Sequence, residues 1–279
     1  MALIIKTILT PEHSTGVEYK VDDSNLNIEL NKNKMTELPK TLEDAVIQAQ
    51  QATQAAIADG QTRLSVELLF PELKFMPVAE AFIPGFENYG DKLKVLFADA
   101  GASALARRDW GSVPYKIEDV GTGRAASLES KIQPEDEIFL FISPTTQEVP
   151  QLEQLCQMIG DARPFVMLNP RLEDTSIVGI GYAARQVRER FINTIESCYY
   201  LRPIFEEAAV FRCYPGMWEV WVQNAGSYQK IAELPQRPTG EELDTILAKG
   251  QPTTANSEAP AKKPSMLRSL GRFLKALSS

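Results

Sequence analysis

The chain has 279 residues, 44% of them hydrophobic and 24% charged, with a net charge of −8. Such a chain holds one domain of about 200 residues plus appendages, or two small ones. An acidic body repels phosphate backbones. A single histidine, His13, removes most zinc, Ser–His and Cys–His schemes, and Cys156, Cys198 and Cys213 form neither a CxxC pair nor a disulfide framework. No nucleic acid, metal or cofactor is therefore expected.

Residues 1–37 form an N-terminal extension in which Leu3–Leu9 and Val17–Val21 are short strand candidates. Lys6 interrupts the first apolar run and no cleavage-type tail follows, so the start is a poor signal peptide. The protein is expected to stay where it is made or to arrive by a presequence. No apolar run approaches the roughly 18–20 residues that span a bilayer.

From Leu38 the signals sharpen. Thr41 with Asp44 reads as a capping pair for a helix running to about Ala58, with Leu42, Ala45, Val46, Ala49, Ala56 and Ile57 facing inward. So much alanine predicts close approach of that helix to a sheet. Strand-like runs follow at Arg63–Phe70, Lys92–Phe97, Pro114–Ile117, Glu137–Ile142 and Pro164–Leu168, several of them continuously apolar, as strands buried on both faces are. Helical patterns lie between them at Gly101–Arg108, Pro150–Ile159 and Ala183–Ile195. This alternation predicts an α/β fold with a mainly parallel sheet covered by helices on both faces.

The pattern then changes. Cys198–Leu201, Ala209–Tyr214, Trp218–Gln223 and Tyr228–Leu234 come in quick succession and predict an antiparallel meander that completes the sheet, with Pro215-Gly216 at the centre of a type II turn. A short helix over Gly240–Lys249 closes a domain spanning 38–250. Residues 251–264 read as a disordered linker. Residues 265–279 read as a tethered basic amphipathic helix: Met266, Leu267, Leu270, Phe273, Leu274 and Leu277 fall within an arc of about 120°, opposite Arg268, Arg272 and Lys275. Residues 261–279 carry +5 with no acid, so the rest of the chain stands at −13. Such a helix docks on an anionic membrane surface or in a partner's groove.

No motif declares a chemistry, and no catalytic residue is assigned. Gly121-Thr122-Gly123-Arg124-Ala125-Ala126 fits GxGxx[GA], but the next strand ends Phe141-Ile142-Ser143 without the acid a dinucleotide site needs, so a flexible loop is the better reading. Three loops follow predicted parallel strands directly: Asp99-Ala100-Gly101, Ser143-Pro144-Thr145-Thr146 and Asn169-Pro170-Arg171. Parallel strands bring such loops to one sheet edge, where α/β folds bind ligands. Asp99, Gly101, Thr145, Asn169 and Arg171 are the ligand-binding candidates, and helix capping and chain turning account for the same residues. Trp218, Trp221, Tyr199, Tyr200 and Tyr214 read as sheet packing.

The run Leu38–Phe75, with FPELKF (Phe70–Phe75), FADAG (Phe97–Gly101) and MLNP (Met167–Pro170), resembles a domain-of-unknown-function family of cyanobacteria and plastids that includes the third "low photosystem II accumulation" assembly factor. The likeness covers about residues 40–250. It implies a cytoplasmic cyanobacterial protein attached peripherally to the thylakoid membrane, whose partner is the anionic membrane surface or a photosynthetic membrane-protein complex. The expected function is non-enzymatic assistance to assembly or maintenance of photosynthetic complexes, photosystem II first. The alternative is an α/β protein, with or without enzymatic activity, that binds a nucleotide or phosphometabolite at the Asp99, Thr145 and Asn169 edge.

Overall fold

A computed structural model describes residues 37–121, 128–172, 182–204, 207–224 and 226–250. The first helix, α1 (Leu42–Ala58), starts as its sequence predicts: the Asp44 N–H donates to Thr41 Oγ1 at 3.0 Å. It ends at Asp59 and Gly60, where φ of +84° suits glycine. Ala45, Ala49, Ala52 and Ala56 are completely buried, which lets the helix backbone lie against the sheet. Two polar contacts fix its rotation. The Tyr199 hydroxyl donates to Gln48 Oε1 at 3.1 Å, and the Thr53 hydroxyl donates to Ala49 O at 2.7 Å while lying 3.5 Å from Cys198 Sγ.

Nine strands form one sheet: β1 (Arg63–Leu68), β2 (Leu93–Phe97), β3 (Lys116–Asp119), β4 (Ile138–Ile142), β5 (Phe165–Leu168), β6 (Glu196–Ile204), β7 (Ala208–Cys213), β8 (Trp218–Asn224) and β9 (Ser227–Leu234). Their order is β3-β2-β4-β5-β1-β6-β7-β8-β9. The first six run parallel and the last four pair antiparallel in sequence. This is the expected α/β architecture, a mainly parallel sheet completed by a meander. One refinement concerns Cys198–Leu201. It lies in β6, which pairs parallel with β1 on one side and antiparallel with β7 on the other, so the same strand ends the parallel part and opens the meander.

Strand side chains alternate between the two faces and divide the core. On the first face Leu64, Val66, Leu68, Val95, Leu140 and Val166 meet α1, α2 (Phe75–Phe82), a 3-10 run over Ile83–Lys92, and α3 (Ala100–Trp110). On the second face Leu96, Phe139, Phe141, Phe165 and Met167 meet α4 (Val149–Ile159) and Phe191, which follows α5 (Tyr182–Arg190). Further along that face Tyr200, Val210 and Trp218 pack against Leu243 and Leu247 of α6 (Gly240–Gly250).

Three local expectations differ from the structure. The segment 75–92 is helical although nothing in its short apolar pattern, broken by Pro77, Pro84 and Gly90, announces it; Gln50 of α1 holds it by donating to Ala81 O and Phe82 O, both at 3.0 Å. The helix expected to reach Ile195 stops at Arg190 and tightens into a 3-10 turn over Ile192–Thr194, where two of three residues are β-branched and the Thr194 hydroxyl donates to Phe191 O at 2.7 Å. Finally, Gly216 N donates to Cys213 O at 2.8 Å, so the central pair of that turn is Tyr214-Pro215, joined by a cis bond, in place of Pro215-Gly216 in a type II turn.

At the amino edge of the parallel strands, Lys94 breaks the apolar alternation of β2. Its side chain is fully buried and pairs with the fully buried Asp136 at 2.8 Å, with Glu118 at 3.4 Å and with the carbonyl of Lys131. Asp136 also accepts from Lys116 at 2.9 Å and from the Gln133 N–H at 2.8 Å. Burial alone would raise the Asp136 carboxyl, but the Lys94 ammonium, the Gln133 N–H and the Lys116 ammonium outweigh it and hold the group below its ordinary 3.8. A carboxyl so held stabilises the fold above its unfolded value and loses that contribution as pH falls through the folded one. Replacing Asp136 by Ala leaves Lys94 buried without its main partner and should cost about 3–5 kcal/mol at pH 7. Urea unfolding from pH 7 down to pH 3 checks both points: the wild type should lose stability below the ordinary carboxyl value, and Asp136→Ala should start lower and fall less.

Candidate functional site

The three segments that carry the family resemblance all lie where parallel strands end. FPELKF begins two residues past β1, FADAG spans the end of β2, and MLNP spans the end of β5. This carboxyl edge is also where the five candidate residues sit, and each has a definite local task. The Asp99 carboxylate caps α3 by accepting from Ala102 N at 2.9 Å. Gly101 leaves room for that cap, since a Cβ there would stand 3.0 Å from Asp99 Oδ1. Thr145 forms a capping box with Glu148, its N–H and hydroxyl both donating to Glu148 Oε2 at 2.7 Å.

Asn169 and Arg171 do something different. Asn169 adopts φ of +50°, a left-handed conformation that asparagine tolerates better than most residues. There its Oδ1 accepts from the Leu68 N–H at 2.6 Å, tying the ends of β5 and β1 together. Two residues on, Arg171 N donates to Pro144 O at 2.7 Å, and Arg171 bridges to Thr145 in a parallel pairing. The loops after β4 and β5 thus run side by side with a fixed backbone. Thr145, Asn169 and Arg171 are brought together, whereas the Asp99 side chain is spent on its own helix.

Beside Arg171 the sheet opens into a cavity of about 500 Å³. Its position follows from the topology. The chain leaves β1 toward α2 on the first face and leaves β5 toward α5 on the second, so neighbouring strands diverge and open a crevice at their carboxyl ends. On the second face, α4 and α5 cover β4 and β5 while α6 covers the meander; β1 and the start of β6 lie between these covers. The floor is correspondingly polar. β1 presents Ser65 and Glu67 there, and Ser197, opposite Ser65 on β6, presents a third oxygen. Met167, Leu172, Ile192, Ile195 and Trp218 supply apolar walls, and Arg171 and Arg237 stand in the lining.

The electrostatics of these groups are coupled. The Ser65 hydroxyl donates to Glu67 Oε1 at 3.1 Å. Arg237 places its guanidinium 4.7 Å over the Tyr200 ring and donates to the Tyr200 hydroxyl at 2.9 Å. Burial pushes the Tyr200 phenol up; Arg237 opposes that and the Glu67 charge adds to it, so the acid and the base act on one hydroxyl. The Ser197 hydroxyl oxygen is buried and has no hydrogen-bond partner among the described residues. Arg171 is exposed, and among the described residues its guanidinium pairs with no acid.

Of the five candidates, Arg171 lines this cavity. Ser65, Glu67, Ser197 and Arg237 escaped the sequence reading, although RLSVEL carried a signal: serine and glutamate alternate with aliphatics in what proves a central strand, where both faces are ordinarily apolar. The GxGxx[GA] run from Thr122 onward lies outside the described residues. The aromatic group divides between faces, with Tyr199 edge-on to Phe211 at 5.7 Å on the first and Tyr200 edge-on to Trp218 at 5.0 Å on the second. Among the described residues no group of three His, Cys, Asp or Glu side chains could hold a metal. Burial pushes the Cys156 thiol to about 11 and those of Cys198 and Cys213 to about 12, far from the range of a nucleophilic thiolate.

A family model described as a domain of unknown function, DUF1995, matches residues 39–245. The chain belongs to that family, and the matched span takes in all nine strands and both sides of the cavity.

Two measurements test this construction. Asn169→Ala removes the acceptor for Leu68 N–H and puts alanine at a left-handed φ, so urea unfolding should show a loss of about 1–3 kcal/mol. An unchanged midpoint would mean that backbone pairing alone holds the β5–β1 edge. A thiol reagent at pH 8 should label none of the three cysteines in the native protein and all three in urea; labelling in native buffer would contradict their burial.

Proposed function

We propose that this protein is a non-enzymatic factor that attaches peripherally to the thylakoid membrane from the cytoplasmic side and assists the assembly or maintenance of a photosynthetic complex, photosystem II first. The observation that carries this reading is the sequence of residues 265–279, which lie outside the described residues. Six large apolar side chains share one face of that sequence at helical spacing, and its only charges are Arg268, Arg272 and Lys275. Apolar area gives interfacial binding, and each nearby cation adds about 1 kcal/mol against an anionic leaflet. Among the described residues no helix is long and apolar enough to cross a membrane; three cations within residues 265–279 suit an interfacial helix, and attachment through it would be peripheral. The resemblance in FPELKF, FADAG and MLNP supplies the photosynthetic context.

Five cations contribute at most a few kcal/mol before screening, which makes the attachment reversible and sensitive to salt. Gly271 weakens an isolated helix by about 1 kcal/mol relative to alanine, so helix formation should accompany binding. Flotation with anionic liposomes should recover the full chain at low salt and release it at high salt. Residues 1–260 alone, or Leu270→Asp or Phe273→Asp in the full chain, should stay unbound while unfolding like the wild type. Equal recovery of full-length and truncated protein would sink the docking reading. Affinity capture from solubilised photosynthetic membranes should retain a pigment–protein complex, and its absence would remove the assembly role.

A further inference from the structure

Polar side chains on the covered face of a central strand are costly unless something satisfies them. Ser65 is 4% exposed and uses its hydroxyl on Glu67, and the Ser197 oxygen beside it is buried with no partner among the described residues. Aliphatic residues at these positions would have filled the gap between the α5 and α6 sides with ordinary core. Instead the sheet keeps a cavity of about 500 Å³, within the size range of small-molecule sites, at the crevice where β5 and β1 diverge.

The lining has a definite chemical bias. Two guanidiniums, Arg171 and Arg237, face one carboxylate, Glu67, within a chain whose net charge is −8. The Arg171 backbone is held by pairing to Pro144 and Thr145, which brings its exposed guanidinium to the rim, while the Arg237 guanidinium is stacked on Tyr200. A guanidinium's planar fork suits the bidentate recognition of phosphate. Glu67 accepts and never donates while ionised, and therefore selects a hydroxyl on the same molecule. Met167 and Trp218 give an apolar surface for a carbon skeleton or ring.

We propose that this cavity binds a small phosphomonoester bearing hydroxyl groups, with the phosphate at Arg171 and Arg237 and a hydroxyl on Glu67. The site is separate from the tail and independent of the membrane reading. The test is titration of the full-length protein with AMP, ribose 5-phosphate and inorganic phosphate, followed by calorimetry and by the fluorescence of Trp218, with Trp218→Phe as the control for that signal. At least one of the two esters should bind with a Kd below about 1 mM and more tightly than inorganic phosphate. Arg171→Ala, an exposed position whose change should leave the unfolding midpoint in place, should weaken that ester about tenfold or more. Glu67→Gln should weaken the ester and leave inorganic phosphate unchanged. The proposal is overturned if neither ester binds at millimolar concentration, or if Arg171→Ala and Glu67→Gln bind both esters like the wild type.

Discussion

The two-sidedness of β1 is the constraint from which the arrangement of this protein follows. Leu64, Val66 and Leu68 turn one way and are buried against α1 and its neighbours, while Ser65 and Glu67 turn the other way. A strand in the middle of a sheet cannot leave a polar face to chance, because strand period fixes every side chain's face at once. The first face of β1 therefore sets the register of the core with β5 and β6. On its second face the covers formed by the described residues stop short of each other. A slip of one residue would bury Glu67 against the alanines of α1 and turn Val66 into the cavity.

The two edges of the parallel strands have been put to different uses. At the amino edge, charges are buried completely and matched: Lys94 against Asp136, with Lys116, Glu118 and the Gln133 N–H completing the set. This network uses its charges on one another and holds residues 131–136, just before β4, against the sheet. At the carboxyl edge most polar groups are likewise consumed, Asp99 and Thr145 by helix caps and Asn169 by Leu68. Among the described residues the guanidinium of Arg171 pairs with no acid there, and in the adjoining cavity floor the Ser197 oxygen has no hydrogen-bond partner. Incomplete satisfaction is what favours a ligand, and on that ground the proposed site falls at the β5–β1 crevice rather than along the whole edge.

Much of this fold was legible in the sequence because its signals were local. Thr41 and Asp44 mark a helix start by their own hydrogen bond, and the apolar run IFLFI can be buried on both faces only as a strand or an inner helix. The strand–helix alternation then gives the class. What was not legible depended on partners far away in the chain. The helix over Phe75–Phe82 is held by Gln50, the parallel pairing of β6 depends on β1, and the caps made by Asp99 and Thr145, the reading the residue types already favoured over a ligand site, needed geometry to be seen. Arg171 was found by its place after a strand. Arg237 was not, because it reaches the cavity from beyond β9, through a stack on Tyr200 that no spacing rule encodes.

Charge distribution joins the two functional readings without making either depend on the other. Outside residues 261–279 the chain stands at −13, so the long-range field of the body repels anionic surfaces and anionic solutes alike. At physiological ionic strength that field decays over roughly 8–10 Å, and only short-range features can overcome it. In the proposed membrane reading the tail would do so with the five cations gathered in residues 261–279, where the sequence holds no acid. The proposed cavity site would do so through Arg171 and Arg237 in its lining, where a unit charge beside the protein is screened less than in bulk water. An acidic body with two such local exceptions would reject most anions and keep selectivity for those that fit a shape, which a generally basic protein of the same fold would lose.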